Sequence, residues 1–432
     1  MLDIAIVGGG PAGLFAALAL SKSQKLKIKV FERASSLPGF VRGTGLDVNG
    51  MKAFRAVDEN LFLRIEKEVV GLVAGATEFN QQGELLKDHS KASRQSEFDK
   101  IKEEYGVPAG MISCFRMQQI MFEALPEGIV QFDHALQGYT EGPEGVTLTF
   151  QNQAQAQGRC LIGADGSFSC VRSMLLHDGP PASTGTVTWR GRLPWRPDAG
   201  LPRGRECDQT YMGNRILAGL YGMPDDLVCW VLAAPVDLCE QQGVACDTHA
   251  NAGSDSTQPA PCDAKPSGSS AHERCMKVAQ RAALQMQNVV GLTSPGTTTE
   301  HGIYTRPAAE LEKYTEAGWG RGRVTLLGNA AHPMRPTGQG LNVTLEDGVV
   351  LAWHLQQGGL NPSSLRAFEQ ERIPRVAQMM QQDQALGSIA FQDDMKAAMA
   401  DLPMAPDNYV TFRNGWEPPK LPLAASNFGS SA

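Results

Sequence analysis

Leu2 to Gly13 reads LDIAIVGGGPAG, a short apolar strand that breaks at Gly8 and enters a helix at Pro11. Gly8, Gly10 and Gly13 form G-x-G-x-x-G. The first glycine permits a tight turn, the second lets backbone approach a pyrophosphate, and the third allows close helix-to-strand packing. Pro11 suits the first helical turn, and Ala12 keeps the next position small. A second strand, Lys27 to Phe31, ends at Glu32, 19 residues past Gly13. That is near the spacing of about 20 expected for an acid on ribose hydroxyls. A glycine turn alone is weak, because packing turns of this kind are common. With strand before, helix after and an acid at this distance, a dinucleotide-binding unit is the better reading.

Far along the chain, Gly328 to Asn342 reads GNAAHPMRPTGQGLN. It leaves the apolar strand Val324 to Leu327, crosses turn formers at Pro333, Pro336 and Gly338, and enters a helix near Gly340. A helix entered through glycine presents unpaired N–H groups and the positive end of its dipole, so an anionic group is expected at Gly340 to Asn342. Leu341, Leu345, Val349, Ala352 and Leu355 keep helical spacing and would hold that end by packing.

A third element is Leu161 to Arg172, LIGADGSFSCVR, an apolar strand running into Asp165-Gly166 and a small-residue turn. With these three pieces, over most of residues 1 to 360, the chain resembles the FAD-dependent aromatic hydroxylase family, the single-component flavoprotein monooxygenases. The resemblance implies an α/β fold: an FAD-binding Rossmann-like domain of glutathione-reductase type with an inserted antiparallel-sheet substrate domain. Gly43 to Asn49, GTGLDVN, resembles the family's loop along the isoalloxazine edge, and Arg116 its cofactor-contacting arginine. Carried over residue by residue, the FAD contacts implied are Gly8, Gly10, Pro11, Ala12, Gly13, Glu32, Arg33, Arg42, Gly43, Thr44, Gly45, Arg116, Asp165, Gly166, Asn329, Ala330, Pro336, Gly338, Gln339, Gly340, Leu341 and Asn342. The region from Tyr304 through Trp319 to Gly328 is similar to the zeaxanthin epoxidase and salicylate hydroxylase branches.

One position departs from the pattern. Where the family has Asp after the glycine of the late motif, this chain has Asn329. An amide oxygen can accept the same bond from a ribityl hydroxyl without the charge, a difference on the order of 1 kcal/mol.

Composition agrees. The chain has 432 residues, 42% of them apolar, enough for two or three domains at about 150 residues each. Against 46 acidic residues stand 39 basic ones, a net charge of −7, which argues against a nucleic-acid surface. No apolar run reaches the roughly 18 residues of a membrane span, and the first strand begins almost at Met1, so a cytoplasmic protein is expected. Nine cysteines lie scattered without C-x-x-C or zinc-like spacing, so neither a disulfide framework nor a metal site is expected.

The expected FAD-binding domain is discontinuous, over residues 1–70, 101–180 and 301–360. Residues 71–100 and 181–300 form the substrate domain, and 361–432 supply C-terminal helices, to about Leu402, and an irregular tail. Within the substrate domain, 236–274 is rich in Gly, Ser, Ala, Pro and Asp and reads as a solvated insertion, disordered at its centre. Thr186 to Arg190, Ile216 to Tyr221 and Leu227 to Leu232 read as antiparallel strands, joined by a hairpin near Leu72 to Leu86. Alternation puts Val187 and Trp189 on one face and Thr188 and Arg190 on the other. Periodicity does not say which face looks at the cofactor. Arg190, Tyr211, Tyr221 and Trp230 are candidate substrate contacts, against sheet packing as the plainer role.

His332 and Pro336 are the candidate catalytic residues, His332 with a structural role as its alternative. In the family Pro336 resembles the proline whose carbonyl faces the ring region. The activity implied is monooxygenation of a small substrate with dioxygen, most simply aromatic hydroxylation through a flavin hydroperoxide. NAD(P)H would be a transient co-substrate, since no second G-x-G-x-x-G exists to hold it. Two rivals stand beside this: an epoxidase of isoprenoid or carotenoid-like alkenes, and a redox-silent protein that keeps the dinucleotide fold as a scaffold.

Overall fold

The computed structural model describes residues 1–23, 26–37, 43–71, 77–87, 99–201, 208–223, 226–246, 270–392 and 402–421. Its strands are β1 (Leu2–Val7), β2 (Ile28–Phe31), β3 (Gly43–Leu46), β4 (Val70–Gly71), β5 (Thr77–Asn80), β6 (Leu85–Lys87), β7 (Gly110–Ser113), β8 (Val130–Gln131), β9 (Leu136–Glu141), β10 (Val146–Phe150), β11 (Gln155–Gly163), β12 (Ala182–Pro194), β13 (Asp208–Gly213), β14 (Ile216–Met223), β15 (Leu227–Pro235), β16 (Thr299–Thr305) and β17 (Val324–Leu326). The helices are α1 (Pro11–Ser23), α2 (Val48–Val57), α3 (Glu59–Glu68), α4 (Cys114–Glu123), α5 (Cys170–Leu176), α6 (Val236–Gln241), α7 (Ala271–Ala279), α8 (Leu284–Leu292), α9 (Ala308–Glu312), α10 (Gln339–Gly358), α11 (Pro362–Ile389) and α12 (Pro406–Asn414).

In the first sheet β8, β2, β1, β11 and β17 run parallel, and β10 and β9 continue it antiparallel from the leading end of β11. Ile4, Ala5 and Ile6 are fully buried, as a parallel strand covered on both faces requires. Helix α1, buried from Leu14 to Leu20, lies between β1 and α10. The fit is close because α10 carries Gly348 there: a methyl would stand 2.6 Å from the Phe15 ring. The motifs of the sequence therefore meet at one edge, where β1, β11 and β17 all end.

The second sheet runs β16-β12-β15-β14-β13-β5-β6. It is antiparallel as expected, except that β5 pairs β13 in parallel; β5 and β6 form a hairpin that enters from the early chain. Val187, Trp189, Ile216, Ala218, Leu220, Trp230 and Leu232 form a second core with α6, α7 and α8. The opposite face carries Thr188, Arg190, Tyr221 and Cys229, with His301 paired to Thr188 across β16. That face meets the first domain: a Cβ at Gly43 would stand 2.9 Å from Met111 Cε and 3.0 Å from the Tyr221 ring, and Thr305 Oγ1 donates to Pro333 O at 2.7 Å. A small sheet, β3-β7-β4, holds the Gly43 loop at this junction.

Two expectations change. The ends of 236–274 are not solvated throughout: α6 buries Leu238 and Cys239 in the second core and α7 buries Arg274, while 247–269, the expected disordered centre, lies outside the described residues. The C-terminal tail is not irregular throughout either. Pro406 opens α12, and at its end and just past it Lys52 Nζ on α2 reaches Asn414 O at 3.0 Å, Trp416 O at 3.2 Å and Glu417 at 2.5 Å. Isolated prolines suggested a loop, but a proline at the first helical position is compatible with a helix start. Among the described residues no helix is long and apolar enough to cross a membrane.

Candidate active site

The glycine turn is built as its spacing requires. Gly8 has φ +110° and its N–H donates to Phe31 O at 2.9 Å, closing β1 onto β2. A Cβ at Gly8 would stand 2.4 Å from Ala164 O, and one at Gly13 would stand 1.9 Å from Gly8 O. A Cβ at Gly10 would meet nothing within 4 Å, so this glycine is not needed for packing and leaves room for a ligand. Glu32 is locked beside the turn, its carboxylate accepting Gly9 N–H at 2.6 Å and Ala34 N–H at 2.9 Å. Arg33 is exposed, and Arg42 lies outside the described residues.

Asp165 is engaged locally, accepting from Ser169 Oγ at 2.5 Å, Cys170 N at 2.8 Å and Val171 N at 3.2 Å. It thus caps α5, and Gly166 beside it, at φ +85°, opens to empty space. Arg172, seven residues after Asp165, reaches the late motif: its guanidinium donates to Ala330 O at 3.1 Å and Ala331 O at 2.6 Å. Asp178 accepts from the other side of the same group.

Asn329 is exposed at the end of β17, whereas Ala330 is fully buried. Gly338, at φ +109°, makes no side-chain cap for α10, so the N–H groups at the start of that helix are left for a ligand. Leu341 is half-buried there. The side chain of Asn342 has a separate part. Its Oδ1 accepts Asp47 N–H at 2.9 Å and its Nδ2 donates to Gly45 O at 3.2 Å and Gly338 O at 2.9 Å, so the side chain staples the Gly43–Asp47 loop to α10. Gln339 adds a bond to Asp47 and accepts from Asn49 Nδ2 at 3.3 Å. Only the backbone of Asn342 remains for the cofactor.

Beneath this helix end lies a buried ionic cluster that sequence reading missed. Arg372 on α11, 1% exposed, bonds Asp347 at 2.7 Å and Glu346 at 2.7 Å. Arg375 holds Glu346 at 2.7 Å, and Asn49 donates to it at 2.7 Å. Burial pulls the Asp347 carboxyl upward, but His332 and Arg372 outweigh it and hold the group below the usual carboxylate range. His332 Nε2 sits 2.6 Å from Asp347 Oδ2, with the ring fully buried against Trp319. With Nε2 committed to Asp347 and the ring packed on Trp319, the geometry gives His332 a packing and orienting part instead of a catalytic one.

Pro336 is exposed in the loop that links the β16 contact at Pro333 to α10. Arg116 on α4 pairs with Glu68 at 2.9 Å, an engagement with α3 and not with the glycine turns. Of the four substrate candidates, two point into the second core: Trp230 Nε1 donates to Thr293 Oγ1 at 2.9 Å, and Tyr211 stacks on Phe79 at 5.2 Å. Arg190 and Tyr221 stand on the face turned to the Gly43 loop. The deciding signal, which helices cover which face, lies in α7 and α8 and not in the strands themselves.

These residues fit FAD. An anion-accepting helix start, a carboxylate fixed at the first turn, and glycines 10, 166 and 338 open to empty space form a cradle for an extended dinucleotide. Residues 1–191 and 271–383 match the model of the FAD binding domain family, and the chain belongs to it. It is 28% identical to 3-amino-4-hydroxybenzoate 2-monooxygenase of Streptomyces cremeus, over 88% of this chain and 85% of that one. It is 26% identical to the chloroplastic zeaxanthin epoxidase of Oryza sativa subsp. japonica, over 87% of this chain but 53% of that protein. The structure of Klebsiella pneumoniae HpxO complexed with FAD and uric acid superposes with a TM-score of 0.71 at 22% identity, covering 96% of this chain and 93% of that one. The chain is an FAD-dependent monooxygenase, with the α/β FAD-binding architecture that the motifs imply.

Asn329 can be tested directly. Because an amide oxygen accepts the ribityl bond without the charge, Asn329→Asp should change the FAD dissociation constant by less than about tenfold. Fluorescence titration of the apoprotein with FAD measures it, and a change of several orders of magnitude would show that charge dominates.

Proposed function

We propose that this protein inserts one atom of dioxygen into a small aromatic substrate bearing an acidic or phenolic group, with NAD(P)H as a transient reductant and FAD as its bound cofactor. The observation that carries this reading is the face of the second sheet over the Gly43 loop. It combines the aromatic Tyr221 with the cationic Arg190 and the polar His301 and Thr188. Thr188 is 1% exposed, and its buried hydroxyl has no partner among the described residues. A buried hydroxyl without a partner costs roughly 1–3 kcal/mol, and a polar substituent on the substrate would relieve that cost. A simple hydrocarbon alkene supplies no such group.

Bound FAD supplies the oxygen-activating chemistry; the chain supplies position, charge compensation and exclusion of water. Glu32 would take ribose hydroxyls, and Asn329 would accept from the ribityl chain. The N–H groups at Leu341 and Asn342, with the α10 dipole behind them, would stabilise negative charge on the bound cofactor. The second sheet covers the reacting region, and the Pro336 backbone shapes it without titrating.

The test is a panel of 3-amino-4-hydroxybenzoate, 4-hydroxybenzoate, salicylate, simple phenols and isoprenoid alkenes, scored for NAD(P)H oxidation and oxygenated product. Turnover of the aromatic acids or phenols with no reaction of the alkenes is the expected result. Epoxide formation instead would establish the rival enzyme, and a colourless protein that takes up no FAD would establish the scaffold.

A further inference from the structure

The loop from Pro333 to Gly338 is held at both ends by contacts already described, but its middle is held by a residue of α11. Asp383 is fully buried. Its Oδ2 accepts Arg335 N–H at 2.7 Å and its Oδ1 bonds the Thr337 hydroxyl. These two attachments flank Pro336. Thr337 N–H returns to Arg335 O at 2.8 Å, so the three residues form one tight turn over a single carboxyl group. One turn further along α11, Gly387 clears a seat for the Arg335 side chain, since a Cβ there would stand 2.4 Å from Arg335 Cδ. Helix α11 is thus shaped twice, by a carboxyl and by a missing side chain, to receive this loop.

We propose that Asp383 is a positioning residue for oxygen transfer: it fixes the turn that carries Pro336 at the junction of the two sheets. This rests on the monooxygenase reading above. The reaction divides after the reductant is spent. In the productive branch NAD(P)H, a proton, dioxygen and substrate give NAD(P)+, water and oxygenated product. In the unproductive branch NAD(P)H, a proton and dioxygen give NAD(P)+ and hydrogen peroxide. A wall of the reacting region displaced by about 1 Å can cost on the order of a hundredfold in an oriented step, and reduction of the cofactor does not depend on that wall. Loss of the clasp should therefore move electrons from product to peroxide and leave NAD(P)H oxidation in place.

The hydrogen-bond chemistry also predicts which substitutions are tolerated. Burial pushes the Asp383 carboxyl up to about 7, yet either protonation state can hold the turn. The ionised group accepts both bonds. The neutral acid accepts from Arg335 and donates to Thr337 Oγ1, and an asparagine amide does the same. Asp383→Asn should keep the wild-type ratio of peroxide to NAD(P)H within about twofold, while Asp383→Ala should lower the product yield by about tenfold or more with FAD content unchanged. Thr337→Val removes one attachment without touching α11 and should shift the ratio in the same direction, which keeps the test open if Asp383→Ala does not fold. The assay uses FAD-loaded protein, with 3-amino-4-hydroxybenzoate or whichever panel compound the wild type turns over fastest. Unchanged peroxide yield in Asp383→Ala or, where that variant does not fold, in Thr337→Val, overturns the proposal alone, as does equal loss in Asp383→Asn and Asp383→Ala. A wild type that oxidises NAD(P)H on none of the panel overturns the function as well.

Discussion

Replacing Arg372 with methionine should cost about 3–5 kcal/mol of folding free energy, more than any surface substitution in this chain. Arg372 is enclosed between Asp347 and Glu346 and raised further into its charged state by them, against the opposing effect of burial. A buried ion pair as a whole contributes little beyond a well-packed apolar replacement, because desolvation offsets attraction. Removing one partner is different, since the carboxylates stay behind. Asp347 would keep His332 and the Gly328 N–H at 3.2 Å, and Glu346 would keep Arg375 and Asn49. Neither carboxylate is wholly abandoned, so an effect within the quoted range and not above it is expected. Urea titration followed by circular dichroism measures it. A loss below about 1 kcal/mol would mean that the remaining partners suffice and that the cluster is not a single unit.

That cluster also shows where sequence reading stops. The strand, turn and helix at Leu2 to Gly13, and the acid at Glu32, were legible because each acts through backbone geometry within about thirty residues. The glycine-led start of α10 was legible for the same reason. Arg372, Glu346 and Asp347 were not, because charged residues on long helices ordinarily read as a solvated face; here the helices are buried against each other and the charges meet inside. Asp383 is a stronger case, as its partners lie in a loop 46 and 48 residues earlier. The strands of the second sheet were legible as alternating, yet alternation defines two faces without ranking them. Trp230 and Tyr211 looked as suitable for a substrate as Tyr221 until α7 and α8 were seen to cover their side. His332 failed for a related reason: its place in the motif was readable, and its burial against Asp347 was not.

The glycines of the first turn permit the sharpest separation of fold from function. Gly13→Ala puts a methyl 1.9 Å from Gly8 O and 3.1 Å from Gly8 C, both backbone atoms with no side chain to yield. The turn or the helix must shift, and α1 is buried along its length, so both stability and FAD binding should fall. Gly10→Ala meets nothing within 4 Å and needs no special backbone conformation, so the protein should unfold at the wild-type denaturant midpoint. Its methyl would instead occupy the space through which a pyrophosphate approaches the backbone, at the positive end of α1. FAD affinity should fall by about a hundredfold, roughly the 2.7 kcal/mol expected when a close charged approach is lost. Apoprotein titration with FAD, beside urea unfolding of the same apoproteins, reads the two effects separately. If Gly10→Ala binds FAD as the wild type does, the dinucleotide does not run along this turn, and the cofactor would have to be held by the late motif and α10 alone.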